Sequence, residues 1–73
     1  MSEKGHTQFG ETVRRIRRRL GMTQLELAER SGLHLTYISG IERGTRNPTL
    51  SVLERLAAGL GMTLADLLKE GGL

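Results

Sequence analysis

The sequence predicts an all-α domain of five short helices, and three observations carry that prediction. Apolar residues recur at three- and four-residue spacing, no run alternates with period two, and threonines and glycines stand where helices would begin and end. β-Branched and aromatic residues are too few to build strands. At 73 residues the chain has room for one domain with one small core. No cysteine is present to staple it, so stability must come from helix packing or from association, and a dimer is expected.

The first helix is expected from Phe9, whose stripe continues through Val13, Ile16 and Leu20 until Gly21 ends it. Residues 1–8 show no apolar periodicity and read as a flexible arm. The second helix opens at Gln24, because Thr23 and Glu26 form a capping box in which each side chain takes the other residue's backbone amide. Leu27, Ala28 and Ser31 share its inward face, Ala28 is small enough to admit a close helix crossing, and Gly32 can take the left-handed conformation that ends it. Leu33 re-enters the core. A third helix from about Leu35 turns Ile38 and Ile41 inward and stops at Gly44. Two helices of this length around a tight glycine turn form the helix-turn-helix unit, whose second helix enters the DNA major groove.

Beyond it, Thr45 to Asn47 and Pro48 make a loop, since proline disfavours helix in the residue before it. Thr49 caps a fourth helix carrying Leu50, Leu53, Leu56, Ala57 and Leu60, ended by Gly61. Thr63 and Asp66 resemble a weaker capping box for a short fifth helix with Leu64, Leu67 and Leu68. The organisation is therefore an arm over 1–8, a domain over 9–69 and a loose tail over 70–73. Met22 and Met62, each after a glycine stop, read as core plugs.

Eleven Lys and Arg against eight Asp and Glu give a net charge of +3. The basic residues cluster at Arg14, Arg15, Arg17, Arg18 and Arg19, with Arg43 and Arg46 just past the third helix. Such a distribution beside a docking motif suits a polyanion, bound with strong salt dependence. No Ser/His/acid, Cys/His or metal-spaced set exists, so neither an enzyme nor a metal or cofactor site is expected. The apolar runs are too short to cross a membrane, the polar start does not resemble a signal peptide, and a cytoplasmic, nucleoid-associated protein is expected.

With these positions in place, the segments LGMTQLELAERSGL, YISGIERG and NPTL resemble the Cro/CI-type, Xre-like helix-turn-helix family over roughly Phe9 to Leu68. Within it, the length and the run TYISGIERGTRNPTLSVLERLA are most like the controller proteins of restriction-modification systems. The resemblance implies a lambda-repressor-like fold and a homodimer on a near-palindromic DNA operator. It also implies regulation of the chain's own gene and an endonuclease gene, with RNA polymerase a possible partner. A phage-like repressor, an antitoxin-type regulator, and a protein-interaction module that does not bind DNA stand as alternatives.

Thr36 and Ser39, able to donate or accept, are candidate base readers with Leu35 and Arg46; Gly40 shares their exposed face. Leu35 departs from the arginine that resembled controllers often carry, and offers only apolar contact to thymine, or packing against a neighbour. Gln24 matches a family glutamine that contacts phosphate. Tyr37, Arg43 and Asn47 are the other candidate phosphate contacts, although Tyr37 fits a half-buried packing role equally. Arg17 and Glu42 match a family ion pair that ties the first helix to the third. His34 stands where a better cap is usual and meets either phosphate or solvent; His6 falls in the arm. Val52, Leu60, Met62, Leu64, Leu67 and Leu68 are candidates for the dimer contact, with Leu60 and Leu64 equally suited to the monomer core.

Overall fold

The computed structural model describes residues 2–72, with side-chain surroundings from Gln8 onward. The fold is all-α, with five helices: α1 (Ser2–Arg19), α2 (Gln24–Ser31), α3 (Leu35–Arg43), α4 (Leu50–Gly59) and α5 (Leu64–Glu70). The local signals act where the residue types demand. Thr23 accepts from the Glu26 amide at 3.1 Å while Glu26 accepts from the Thr23 amide at 2.9 Å, closing the capping box. Thr49 and Thr63 cap α4 and α5 by accepting from the amides of Val52 and Asp66. Gly32 ends α2 at φ +71° and Gly44 ends α3 at φ +78°, left-handed conformations that a side chain would strain.

The core is one cluster. Phe9, Val13 and Ile16 of α1 meet Leu27 and Ala28 of α2, Ile38 and Ile41 of α3, Leu56, Ala57 and Leu60, and Leu67 of α5. Met22 plugs it from the α1–α2 turn; Leu33, Tyr37, Val52, Leu53, Met62 and Leu64 pack on its edge. Two glycines set the helix crossings. At Gly10, a Cβ would lie 2.2 Å from the Ile41 carbonyl oxygen and 2.7 Å from that of Glu42, so α1 crosses α3 in backbone contact. At Gly59, a Cβ would lie 3.1 Å from Ser31, so α4 crosses α2 closely but with more room than α1 has against α3.

Several expectations are corrected. The first helix does not wait for Phe9: the backbone is helical from Ser2, because the preceding residues include neither proline nor a β-branched run to stop it. Met1 lies outside the described residues. Leu20, expected on the α1 stripe, is 48% exposed, because α1 ends at Arg19 and the chain turns there. At the other end, Gly71 is buried against Phe9, so the tail expected from residue 70 is packed through Gly71; Leu73 lies outside the described residues. Leu67, assigned to the dimer contact, is 0% exposed and completes the monomer core; Leu60, equally suited to either role, is 4% exposed and takes the core one. The face they would have shared is left to Val52, Met62, Leu64 and Leu68, all partly exposed.

Candidate nucleic-acid interface

Beyond the burial of Ile38 and Ile41 in the core, the polar contacts that tie α3 to the other helices gather at its C-terminal end. The Arg17 guanidinium donates through Nε to Glu42 Oε2 at 2.7 Å and through a terminal nitrogen to Oε1 at 3.0 Å, a fork-to-fork pair. The two side chains are 9% and 3% exposed. Arg17 donates further to the Met22 carbonyl at 2.8 Å, and Gln24 Nε2 donates to Glu42 Oε1 at 3.0 Å. The Glu42 carboxylate thus joins α1, the start of α2 and the end of α3, and through Arg17 the α1–α2 turn is tied in as well. Hydrogen bonding to Glu42 raises the Arg17 pKa above its ordinary value and outweighs the burial that lowers it. Among the described residues no buried side-chain polar atom lacks a partner, so the charged cluster is fully satisfied.

The N-terminal end of α3 is freer. His34 holds the extended conformation of an N-cap but makes no side-chain cap bond. Leu35 and Thr36 follow it on the exposed surface, and Ser39 is half-buried one turn on, where its hydroxyl accepts a bond from Arg43. Gly40 is not on the exposed face as expected. It is buried beneath Arg46, whose Cγ would sit 2.5 Å from a Cβ there, and Thr45 Oγ1 donates to its carbonyl at 3.2 Å. The absent side chain is what seats Arg46: its stem crosses Gly40 and its guanidinium lies 5.5 Å from the Tyr37 ring centre, within cation–π range. Tyr37 is half-buried, and Asn47 is exposed in the following loop.

Gln24 is partly committed, since one of its carboxamide protons already serves Glu42. The amides of Gln24 and Leu25 lie in the first turn of α2, where a helix leaves its N–H groups without intrahelical partners. The basic cluster of α1 also resolves. Arg17 is internal, whereas Arg15 and Arg19 approach Glu70 of α5 at 3.7 and 3.3 Å on the surface. Arg14 and Arg18 are exposed, with no ion pair among the described residues. Free positive charge is thus sparser on α1 than the sequence suggests.

Three residues that matter to this surface escaped the sequence reading: Gly10, Leu25 and the buried role of Gly40. A glycine inside a helix costs about 1 kcal/mol relative to alanine, and that cost is the signal of a close approach. Leu25 is 55% exposed at the start of α2, off the inward stripe, and its isolation was the signal. No group of acidic, histidine or cysteine side chains that could hold a metal occurs among the described residues, and no described helix is long and apolar enough to cross a membrane.

Comparison with known proteins agrees with this geometry. A family model described as Helix-turn-helix matches residues 13–67. The control protein C.BamHI of Bacillus amyloliquefaciens is 49% identical over 61 residues, covering 82% of this chain and 75% of that protein. The control protein C.SmaI of Serratia marcescens is 48% identical over 65 residues, covering 89% and 77%. The crystal structure of the restriction-modification controller protein C.AhdI from Aeromonas hydrophila superposes with a TM-score of 0.82 at 37% identity, covering 85% of this chain and 94% of that one.

Proposed function

We propose, from the premise that this chain belongs to the Xre-like helix-turn-helix family of transcriptional regulators, that it is a restriction-modification controller binding a near-palindromic operator as a homodimer. The observation that carries this reading is the anchored α3. Its C-terminal half is locked by the Arg17–Glu42 pair, while Leu35 and Thr36 at its exposed start are presented to solvent. A recognition helix must be held in this way for its first residues to meet base edges. Thr36 and Ser39 read bases by hydrogen bonding, Leu35 by apolar contact, and Arg46 from its seat on Tyr37 and Gly40.

Phosphates are met by Arg43, Asn47 and the Tyr37 hydroxyl, and at the start of α2 by Gln24. There its backbone amide and remaining carboxamide proton are the donors. The dimer forms through Val52, Met62, Leu64 and Leu68, placing two α3 helices about 34 to 36 Å apart on one face of the duplex. Such an arrangement serves regulation of the chain's own gene and of an endonuclease gene, with polymerase contact as the route to activation.

The test is a titration of the chain against a random duplex pool at two salt concentrations, alongside sedimentation at micromolar protein. A steep fall of affinity with salt, enrichment of a two-fold symmetric site and a dimeric mass are expected. No binding even at low salt would overturn the reading in favour of a protein-interaction module. A monomer unaltered by the enriched duplex would overturn the dimer.

A further inference from the structure

We propose that Leu35 and Leu25 form an apolar lip that reads the 5-methyl group of a pyrimidine, thymine in unmodified DNA, at the base step facing the start of α3. The inference rests on the DNA-binding reading above and adds the chemical group recognised. Leu35 is the first residue of α3 and is 43% exposed; Leu25, 55% exposed, comes from the start of α2. Both line one shallow, open cleft of about 290 Å³ between the two helices, with Ala28, Leu33, Glu29 and His34. Neither leucine belongs to the core cluster, so their exposure serves no packing purpose within the monomer.

The chemistry of the lip selects among base edges. In the major groove, guanine and adenine offer acceptors and an amino group that require a polar partner, whereas thymine adds a methyl group beside its single acceptor. Two leucines have no hydrogen bond to return, so a purine edge there is desolvated without compensation. A pyrimidine methyl gains contact with both. The carboxylate of Glu29 in the same cleft makes it a poor seat for a phosphate, which leaves the lip to a base edge. Burying one methyl against such a surface is worth about a fourfold gain in affinity, and about fifteenfold when both half-sites of a dimer use it.

The experiment selects the operator from a random duplex pool and then replaces its thymines one at a time by deoxyuridine, which removes only the 5-methyl. One thymine per half-site should lose about fourfold on replacement, and the symmetric double replacement about fifteenfold. With Leu35→Ala the same replacement should change affinity less than twofold, and Leu25→Ala should shrink the penalty. At that position 5-methylcytosine paired with guanine should bind more tightly than cytosine paired with guanine, separating the methyl from the rest of the thymine edge. Both variants alter exposed residues, and a melting curve of each confirms that it is folded. Tolerance of deoxyuridine at every position, an equal penalty in Leu35→Ala, or no gain from 5-methylcytosine would overturn the proposal. Failure to enrich any duplex would instead overturn the DNA-binding reading on which it rests.

Discussion

Replacing Glu42 by alanine removes one carboxylate and strands three donors at once. Arg17 loses both arms of its fork, with Nε and a terminal nitrogen at 2.7 and 3.0 Å, and Gln24 loses its 3.0 Å bond. The guanidinium left behind is buried with only the Met22 carbonyl as partner. Breaking a buried pair from one side costs about 3 to 5 kcal/mol, because the surviving charge is uncompensated. A domain of this length is stabilised by only about 4 to 11 kcal/mol in total. The substitution should therefore lower the melting temperature by roughly 12 to 40 °C. Urea unfolding followed by circular dichroism at 222 nm, with the slope shared between variants, gives the loss directly. A double variant isolates the cause: Arg17→Met with Glu42→Leu replaces the pair by apolar groups and should recover much of the loss, since intact buried pairs are worth little over well-packed isosteres. A loss under about 1 kcal/mol in Glu42→Ala would place the pair among exposed ones and refute the account of α3 as an anchored helix.

Three further substitutions test the rest of the scaffold. Gly10→Ala should destabilise by about 1 to 3 kcal/mol, because the new methyl meets the backbone oxygens of Ile41 and Glu42, and that overpacking exceeds the roughly 1 kcal/mol of helix propensity gained; a more stable variant in urea would refute the crossing. Gly40→Ala should leave the melting temperature within about 5 °C but displace Arg46 from the Tyr37 ring and weaken operator binding severalfold; in an Arg46→Ala background the same change should have no further effect on affinity. The Glu26 carboxyl sits below its ordinary pKa because the Thr23 amide and then its hydroxyl bond to it. A depressed folded-state pKa means stability present above the unfolded value and lost as pH falls through the folded one. Glu26→Gln should accordingly melt below the native chain at pH 7, and the gap should close in acid; a gap independent of pH would refute the charged cap.

What the sequence revealed was local, and what it concealed was set by helices meeting across the fold. The Thr23–Glu26 box, the Gly32 stop and the inward Leu27, Ile38 and Ile41 follow from contacts within four residues along the chain, so the five-helix architecture could be read directly. The division of labour among the leucines of α4 and α5 could not. Leu67 and Leu68 of α5 look equivalent in sequence, yet only the packing of the helix on the core buries the first and leaves the second partly exposed. The arginine cluster misled for the same reason: Glu70 lies 51 residues beyond Arg19, and only the packing of α5 beside α1 brings it within reach. Gly40 shows the limit most sharply. Its helical position points toward the reading face, but Arg46 folds back over it from beyond the end of α3.

The two ends of α3 are therefore built for different tasks. At its C-terminal end Glu42 is tied to Arg17 and Gln24, α1 crosses at Gly10 in contact with the carbonyls of Ile41 and Glu42, and Gly44 closes the helix. At its N-terminal end His34 contributes no cap bond, where a serine, threonine or aspartate cap is worth about 1 kcal/mol. An uncapped start leaves its first amides to solvent. In a helix that docks onto a polyanion, those amides and the adjoining Leu35 and Thr36 are completed by the partner. The missing cap thus falls on the end that the proposed interface covers, while the satisfied charges hold the opposite end fixed against the core. In the proposed interface the direction of the helix is set beforehand by Glu42 and Gly10, and the uncapped first turn is the part left free to adjust.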